Sequence, residues 1–115
     1  MEFSTRTAAA EAVKADCVAV GVFAEGELSA QARALDAASK GALRAAVRSG
    51  EATGKRGAAL MLRGLTGVAS ARVLLVGLGH RKDFGDKAFI EAVRTAVKAS
   101  GPAVKELAIG AADWL

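Results

Sequence analysis

Two short apolar runs constrain this chain more than any other feature. They are Cys17-Val18-Ala19-Val20-Gly21-Val22-Phe23 and Arg72-Val73-Leu74-Leu75-Val76-Gly77. Neither alternates polar with apolar residues, as a strand with one wet face would. Both are too short for a buried helix. Their length and β-branched content predict strands buried on both faces. Such strands need a layer packed against each side, which confines the chain to a few architectures.

The segments between them supply those layers. Leu28, Ala32, Leu35, Ala38, Ala42, Leu43, Ala46 and Val47 recur at steps of three and four. That spacing predicts one long helix, with Ser29 as its N-cap and Gly50 just beyond its end. Phe89, Ile90, Val93, Ala96 and Val97 predict the buried stripe of a second helix, capped by Asp86 and stopped by Ser100-Gly101-Pro102. Residues 58–62 and 104–109 read as further strands, and Glu2 to Thr7 as a short, weakly alternating first one. Ala8 to Lys14 reads as connecting material, and Gly110 onwards as the start of a turn or helix. The stretch from Leu65 to Arg72 joins two strands with no helix between them, so it suggests a hairpin. The expectation is one α/β domain over residues 1–115, with a mixed or mostly parallel sheet.

The bulk properties narrow the setting. The formal charge of +4 permits a polyanionic partner without demanding one. A single cysteine, Cys17, cannot form an internal disulfide, which fits a reducing compartment. No run of about eighteen apolar residues is present, so no membrane contact is expected. Glu2, Glu11 and Asp16 interrupt any secretory pattern in the first twenty residues. The expected location is cytoplasmic.

Chemistry-bearing residues are sparse. A zinc or manganese site needs three or four converging ligands. Here His80 and Cys17 are single, and Asp83 and Asp86 near His80 lack a ligand spacing. Cys17 opens an apolar strand, where a thiol is ordinarily inert, although a Cys17–His80 pair is left open. Gly77-Leu78-Gly79 follows a strand, as phosphate-binding glycines do in dinucleotide folds, but position 82 is Lys82 instead of a third glycine. A tight turn is the simpler reading. Lys40, Arg44 and Arg48 sit four apart, with Asp36 at the head of the row and Lys55, Arg56 and Arg63 soon after. On one helix they form a basic stripe that a polyanion would neutralise. No aromatic residue interleaves it for base stacking. No residue is assigned as catalytic, cofactor-binding or metal-ligating.

Several blocks resemble the amino-terminal part of bacterial leucyl (cytosol) aminopeptidases. They are Met1-Glu2-Phe3-Ser4, then residues 15–23, then 43–57, and above all Arg72-Val73-Leu74-Leu75-Val76-Gly77-Leu78-Gly79 followed by a charged segment and a helix. They occur in the family's order with similar spacing. The resemblance implies a three-layer, macrodomain-like fold with helices on both faces of the sheet. It also implies a non-catalytic first domain of a two-domain peptidase. In such an enzyme two divalent metals, manganese or zinc, lie in a separate catalytic domain, and the whole is a homohexamer. The family's metal-binding Asn-Thr-Asp-Ala-Glu-Gly-Arg block is missing here, and its first domain extends beyond position 115. The expectation is therefore a domain incomplete at its carboxyl end, whose partners are its own catalytic domain and sister subunits. Two alternatives stand beside it. One is a DNA-binding module using the Lys40–Arg48 row. The other is a nucleotide or ADP-ribose binder using the Gly77–Gly79 turn.

Overall fold

The computed structural model describes residues 2–5, 15–102, 104–109 and 114. The expected connector at 8–14 and the turn or helix from Gly110 lie outside them. The elements in chain order are β1 (Glu2–Thr5), β2 (Cys17–Val22), α1 (Ala30–Ala38), α2 (Ala42–Arg48), β3 (Ala59–Arg63), β4 (Arg72–Gly77), α3 (Asp86–Ser100) and β5 (Glu106–Ile109). They form one five-stranded sheet in the order β1-β5-β2-β4-β3.

The two apolar runs are the centre of that sheet. β2 and β4 pair in parallel over their whole length, from Cys17 opposite Arg72 to Val22 opposite Gly77. β5 pairs in parallel with β2 and with β1. β3 alone runs antiparallel, from Ala59 opposite Val76 to Arg63 opposite Arg72, so the helix-free stretch before β4 is the connection of a hairpin. The sheet is mixed and mostly parallel.

Side chains of a strand alternate between faces, so β2 feeds two cores. Val18, Val20 and Val22 pack with Leu35, Leu43, Val73 and Leu75 under α1 and α2. Cys17, Ala19 and Phe23 pack with Leu74, Val76, Ala92, Ala96 and Trp114 under α3. Helices therefore cover both faces, and every residue of β2 is buried. Asp16 fastens the start of this strand to its neighbour. Its carboxylate accepts the backbone N–H groups of Lys105 at 2.8 Å and Glu106 at 3.0 Å. Those two bonds hold its pKa below the ordinary carboxyl value.

The first helical layer differs from the single helix that the apolar spacing predicts. Ser29 does cap α1, its hydroxyl accepting the Ala32 N–H. The helix then stops at Ala38, because Lys40 and Gly41 adopt φ of 60° and 88°. The Gly41 N–H returns to the Asp36 carbonyl at 2.7 Å and the Lys40 N–H to that of Ala37 at 3.3 Å, a Schellman closure. The Asp36 carboxylate then accepts the Arg44 N–H at 2.9 Å, in the first turn of α2. One residue thus closes α1 and caps α2. Hydrophobic spacing cannot reveal this break, since α2 resumes the same apolar face.

The stripe on α3 is also displaced. Ala88, Ala92, Ala96 and Ser100 face the sheet, whereas Phe89, Val93 and Val97 are half-buried flanks and Ile90 is 51% exposed. Small residues let the helix lie close to the strands, and the larger ones are left at the margins. Gly85, not Asp86, is the N-cap, and Asp86 is the first helical residue.

Replacing Leu35 by Ala, which opens a cavity under α1, is expected to lower stability by about 2–5 kcal/mol. Ile90→Ala is expected to change it by less than about 0.5 kcal/mol. Urea unfolding midpoints of the two variants measure the contrast, and comparable losses would place Ile90 in the core.

Candidate functional site

In open α/β sheets ligands gather at the carboxyl ends of parallel strands where connections diverge to opposite sides. Here that place lies beyond β2 and β4. The chain leaves β2 through α1 and α2 toward β3 on one side, and leaves β4 through α3 toward β5 on the other. The Gly77-Leu78-Gly79 turn emerges at that point.

The chain's own backbone fills it. The Gly79 N–H donates to the Gly54 carbonyl at 2.9 Å, and the Gly79 carbonyl accepts from the Ala24 N–H at 2.8 Å. The Leu78 N–H donates to the Val22 carbonyl and the Gly77 N–H to the Ala58 carbonyl. A β-carbon on Gly77 would lie 1.9 Å from the Lys55 carbonyl oxygen, and one on Gly54 would lie 2.2 Å from that of Phe23. These glycines therefore admit the 52–57 loop across the strand ends. The backbone donors that a pyrophosphate would need at this turn are already engaged. What remains beside the loop is a recess lined by Val22, Glu51, Ala52, Thr53, Gly54, Ala58 and Leu75, with a volume of about 90 Å³.

Outside the loop lies a polar network that sequence reasoning missed. Glu25 follows β2, and His80 and Arg81 follow β4. His80 Nδ1 lies 2.9 Å from Glu25 Oε2, and the Arg81 N–H donates to Glu25 Oε1 at 3.2 Å. Arg81 grips Glu27 with Nε at 3.1 Å and Nη2 at 2.9 Å. Its guanidinium also sits 4.3 Å from the centre of the Phe23 ring. The His80 hydrogen bond first, then backbone N–H groups, hold the Glu25 pKa below the usual range. The network ties the two loops together at the surface. It holds no nucleophile: Cys17 pairs in register with Arg72, at the far end of β4 from His80. That end-to-end distance is at least about 16 Å, which excludes a Cys17–His80 dyad. Burial raises the Cys17 thiol to about 11. Among the described residues, no three His, Cys, Asp or Glu side chains converge as metal ligands. Asp83 and Asp86 are exposed beside the turn and do not join His80 in a site.

The basic row predicted along one helix is not continuous. The break at Lys40 and Gly41 leaves only Arg44 and Arg48 on α2, and Arg44 lies 3.7 Å from the Asp36 carboxylate. Arg56 pairs with Glu91 at 3.8 Å, Lys55 lies in the closing loop, and Arg63 ends β3. Contiguity through the helix break was the assumption that failed.

Comparison with known proteins identifies the family and the fold. Residues 19–114 match the model of the cytosol aminopeptidase family, N-terminal domain. A probable cytosol aminopeptidase of Ralstonia pickettii is 49% identical over 104 residues, covering 86% of this chain and 21% of that protein. One from Cupriavidus metallidurans is 50% identical over 109 residues, covering 88% and 21%. The chain thus spans about a fifth of the length of these relatives. A mutant tomato leucine aminopeptidase superposes with a TM-score of 0.71 over 95% of this chain and 22% of its own, at 21% identity. That likeness concerns the fold.

Gly77→Ala is expected to displace the 52–57 loop and cost about 1–3 kcal/mol, read from urea midpoints together with faster proteolysis of that loop. The Cys17 thiol is expected to resist Ellman's reagent at pH 8 in the native chain and to react fully in denaturant. Rapid native-state labelling would contradict its burial.

Proposed function

The chain belongs to the cytosol aminopeptidase family as an N-terminal domain, and from that premise we propose that it serves as the assembly and access-limiting domain of a leucyl aminopeptidase. The observation that carries this reading is the closed crevice: the strand ends where an α/β domain would place a ligand are sealed by the chain's own 52–57 loop. A domain built this way contributes surfaces and stiffness to a larger molecule. In that larger molecule peptides lose their amino-terminal residues at a separate catalytic domain. Two divalent ions there, manganese or zinc, would polarise the scissile carbonyl and generate the hydroxide nucleophile. The ligands would come from that domain, since none converge among the described residues here. The layered α/β/α arrangement is read as macrodomain-like, the whole enzyme as a cytosolic homohexamer, and the partners of this chain as its own catalytic domain and sister subunits. No observation favours the DNA-binding or nucleotide-binding alternatives over this one.

The test is enzymatic. Purified 1–115 supplied with Mn²⁺ or Zn²⁺ is expected to leave leucyl-p-nitroanilide intact. The longer enzyme that carries this domain is expected to cleave it, and to lose hexamer on deletion of residues 1–115 as read by light scattering. Turnover by the isolated chain, or an intact hexamer without it, would overturn the proposal.

A further inference from the structure

β3 is the edge of the sheet, and its hydrogen-bond parity can be worked out from its neighbours. The Gly77 N–H donates to the Ala58 carbonyl and the Gly64 N–H to the Ala71 carbonyl. Both pairs fall in the register that sets Leu60 opposite Leu75 and Leu62 opposite Val73. In an antiparallel pair, residues alternate between facing inward and outward with their backbone groups. Leu60 and Leu62 therefore turn their N–H and C=O groups toward β4, as do the Ala58 carbonyl and the Gly64 N–H, while the Ala58 N–H donates to the Lys55 carbonyl at 3.0 Å. The N–H and C=O groups of Ala59, Met61 and Arg63 point away from the sheet. Among the described residues, no hydrogen bond is found for these outward groups. The strand carries no proline, bulge or lysine that would discourage pairing.

The surroundings of this edge are chemically uneven. Met61 packs with the α3 core, and Leu60 and Leu62 pack with the α1–α2 core. By alternation, Ala59 and Arg63 share the α3 side with Met61. On that side a groove of about 460 Å³ runs between β3 and α3, lined by Gly57, Ala59, Thr95, Lys98 and Ala99. Its walls are small residues, which leaves room for a neighbouring strand. The charged residue lining it is Lys98, which is exposed; Arg63, at the end of β3, is exposed and by alternation lies on the same side of the sheet, outside the groove lining. On the opposite side the half-buried Leu60 and Leu62 present an apolar margin.

We propose that the outer edge of β3 is a docking site for an extended acidic segment of a partner protein, which adds to the sheet as a sixth strand. A residue hydrogen-bonded opposite Ala59, Met61 or Arg63 places its side chain on the α3 side, beside Lys98 and Arg63. Carboxylates are favoured there. The alternate residues fall beside Leu60 and Leu62, where apolar side chains are favoured. The edge thus selects a sequence in which Glu or Asp alternates with Val, Ile or Leu. Backbone bonds give affinity, and the two faces give the pattern. The inference is independent of the aminopeptidase reading, since it uses only this strand and its groove.

The test uses backbone amide exchange by NMR on the whole chain. In the free protein the amides of Leu60 and Leu62 are expected to be protected, and those of Ala59, Met61 and Arg63 to exchange quickly. Adding a capped heptapeptide of alternating Glu and Val is expected to protect Ala59, Met61 and Arg63 selectively. A heptapeptide of alternating Lys and Val is expected not to. Lys98→Glu, on the helix and outside the strand, is expected to weaken the acidic peptide about fivefold, with binding also falling as salt rises. Three outcomes would overturn the proposal. One is equal binding of the two peptides. Another is protection confined to other residues, or none at all. The third is protection of the β3 edge that grows with protein concentration in the absence of peptide, which would make a second copy of this chain the occupant.

Discussion

The parallel pairing of β2 with β4 is the constraint on which the rest of the molecule depends. Six consecutive register pairs join two strands that are apolar on both faces. Once they pair, two hydrophobic surfaces exist and each must be covered. α1 and α2 cover one and α3 covers the other. The covering differs because the available side chains differ. The α1–α2 face is filled by Leu35, Leu43 and the valines of β2. The α3 face is approached by alanines at every fourth position, and Phe23, Leu78 and Trp114 fill the remaining volume.

The same pairing decides what the carboxyl end of the sheet can do. Strands that end side by side there create a crevice, and in many α/β proteins a ligand occupies it. In this chain the backbone of residues 52–57 takes that position, made possible by two glycines whose missing β-carbons leave room for carbonyl groups. The polar side chains around the rim satisfy one another, Glu25 with His80 and Glu27 with Arg81. A site whose donors and acceptors are mutually satisfied has little left for chemistry. That mutual pairing is the ground for the assembly role proposed above, and it directs attention to the open edge at β3.

Much of this was legible in the sequence. The two buried strands, the Ser29 cap, the hairpin between β3 and β4 and the family likeness all follow from local residue types. Composition and periodicity report such features directly, because burial on both faces requires an unbroken apolar run and a side-chain cap such as that of Ser29 requires an oxygen acceptor at one position. The failures share a cause. The helix break at Lys40 and Gly41 hides inside a continuous apolar stripe. The face of α3 was read from its largest residues, although its alanines make the closest approach. The basic row vanished with the helix that was supposed to carry it.

What the sequence determined by itself was therefore the class of the fold, its central strands and its family. Tertiary structure alone decided which glycines serve close packing, that Asp36 joins two helices, that Glu25 and Glu27 meet residues more than fifty positions away, and which backbone groups of β3 face outward. The physical reason is range. Propensity, capping and apolar periodicity act within a few residues and are written in local sequence, whereas close approach, ion pairing and edge exposure depend on which distant segments the register brings together.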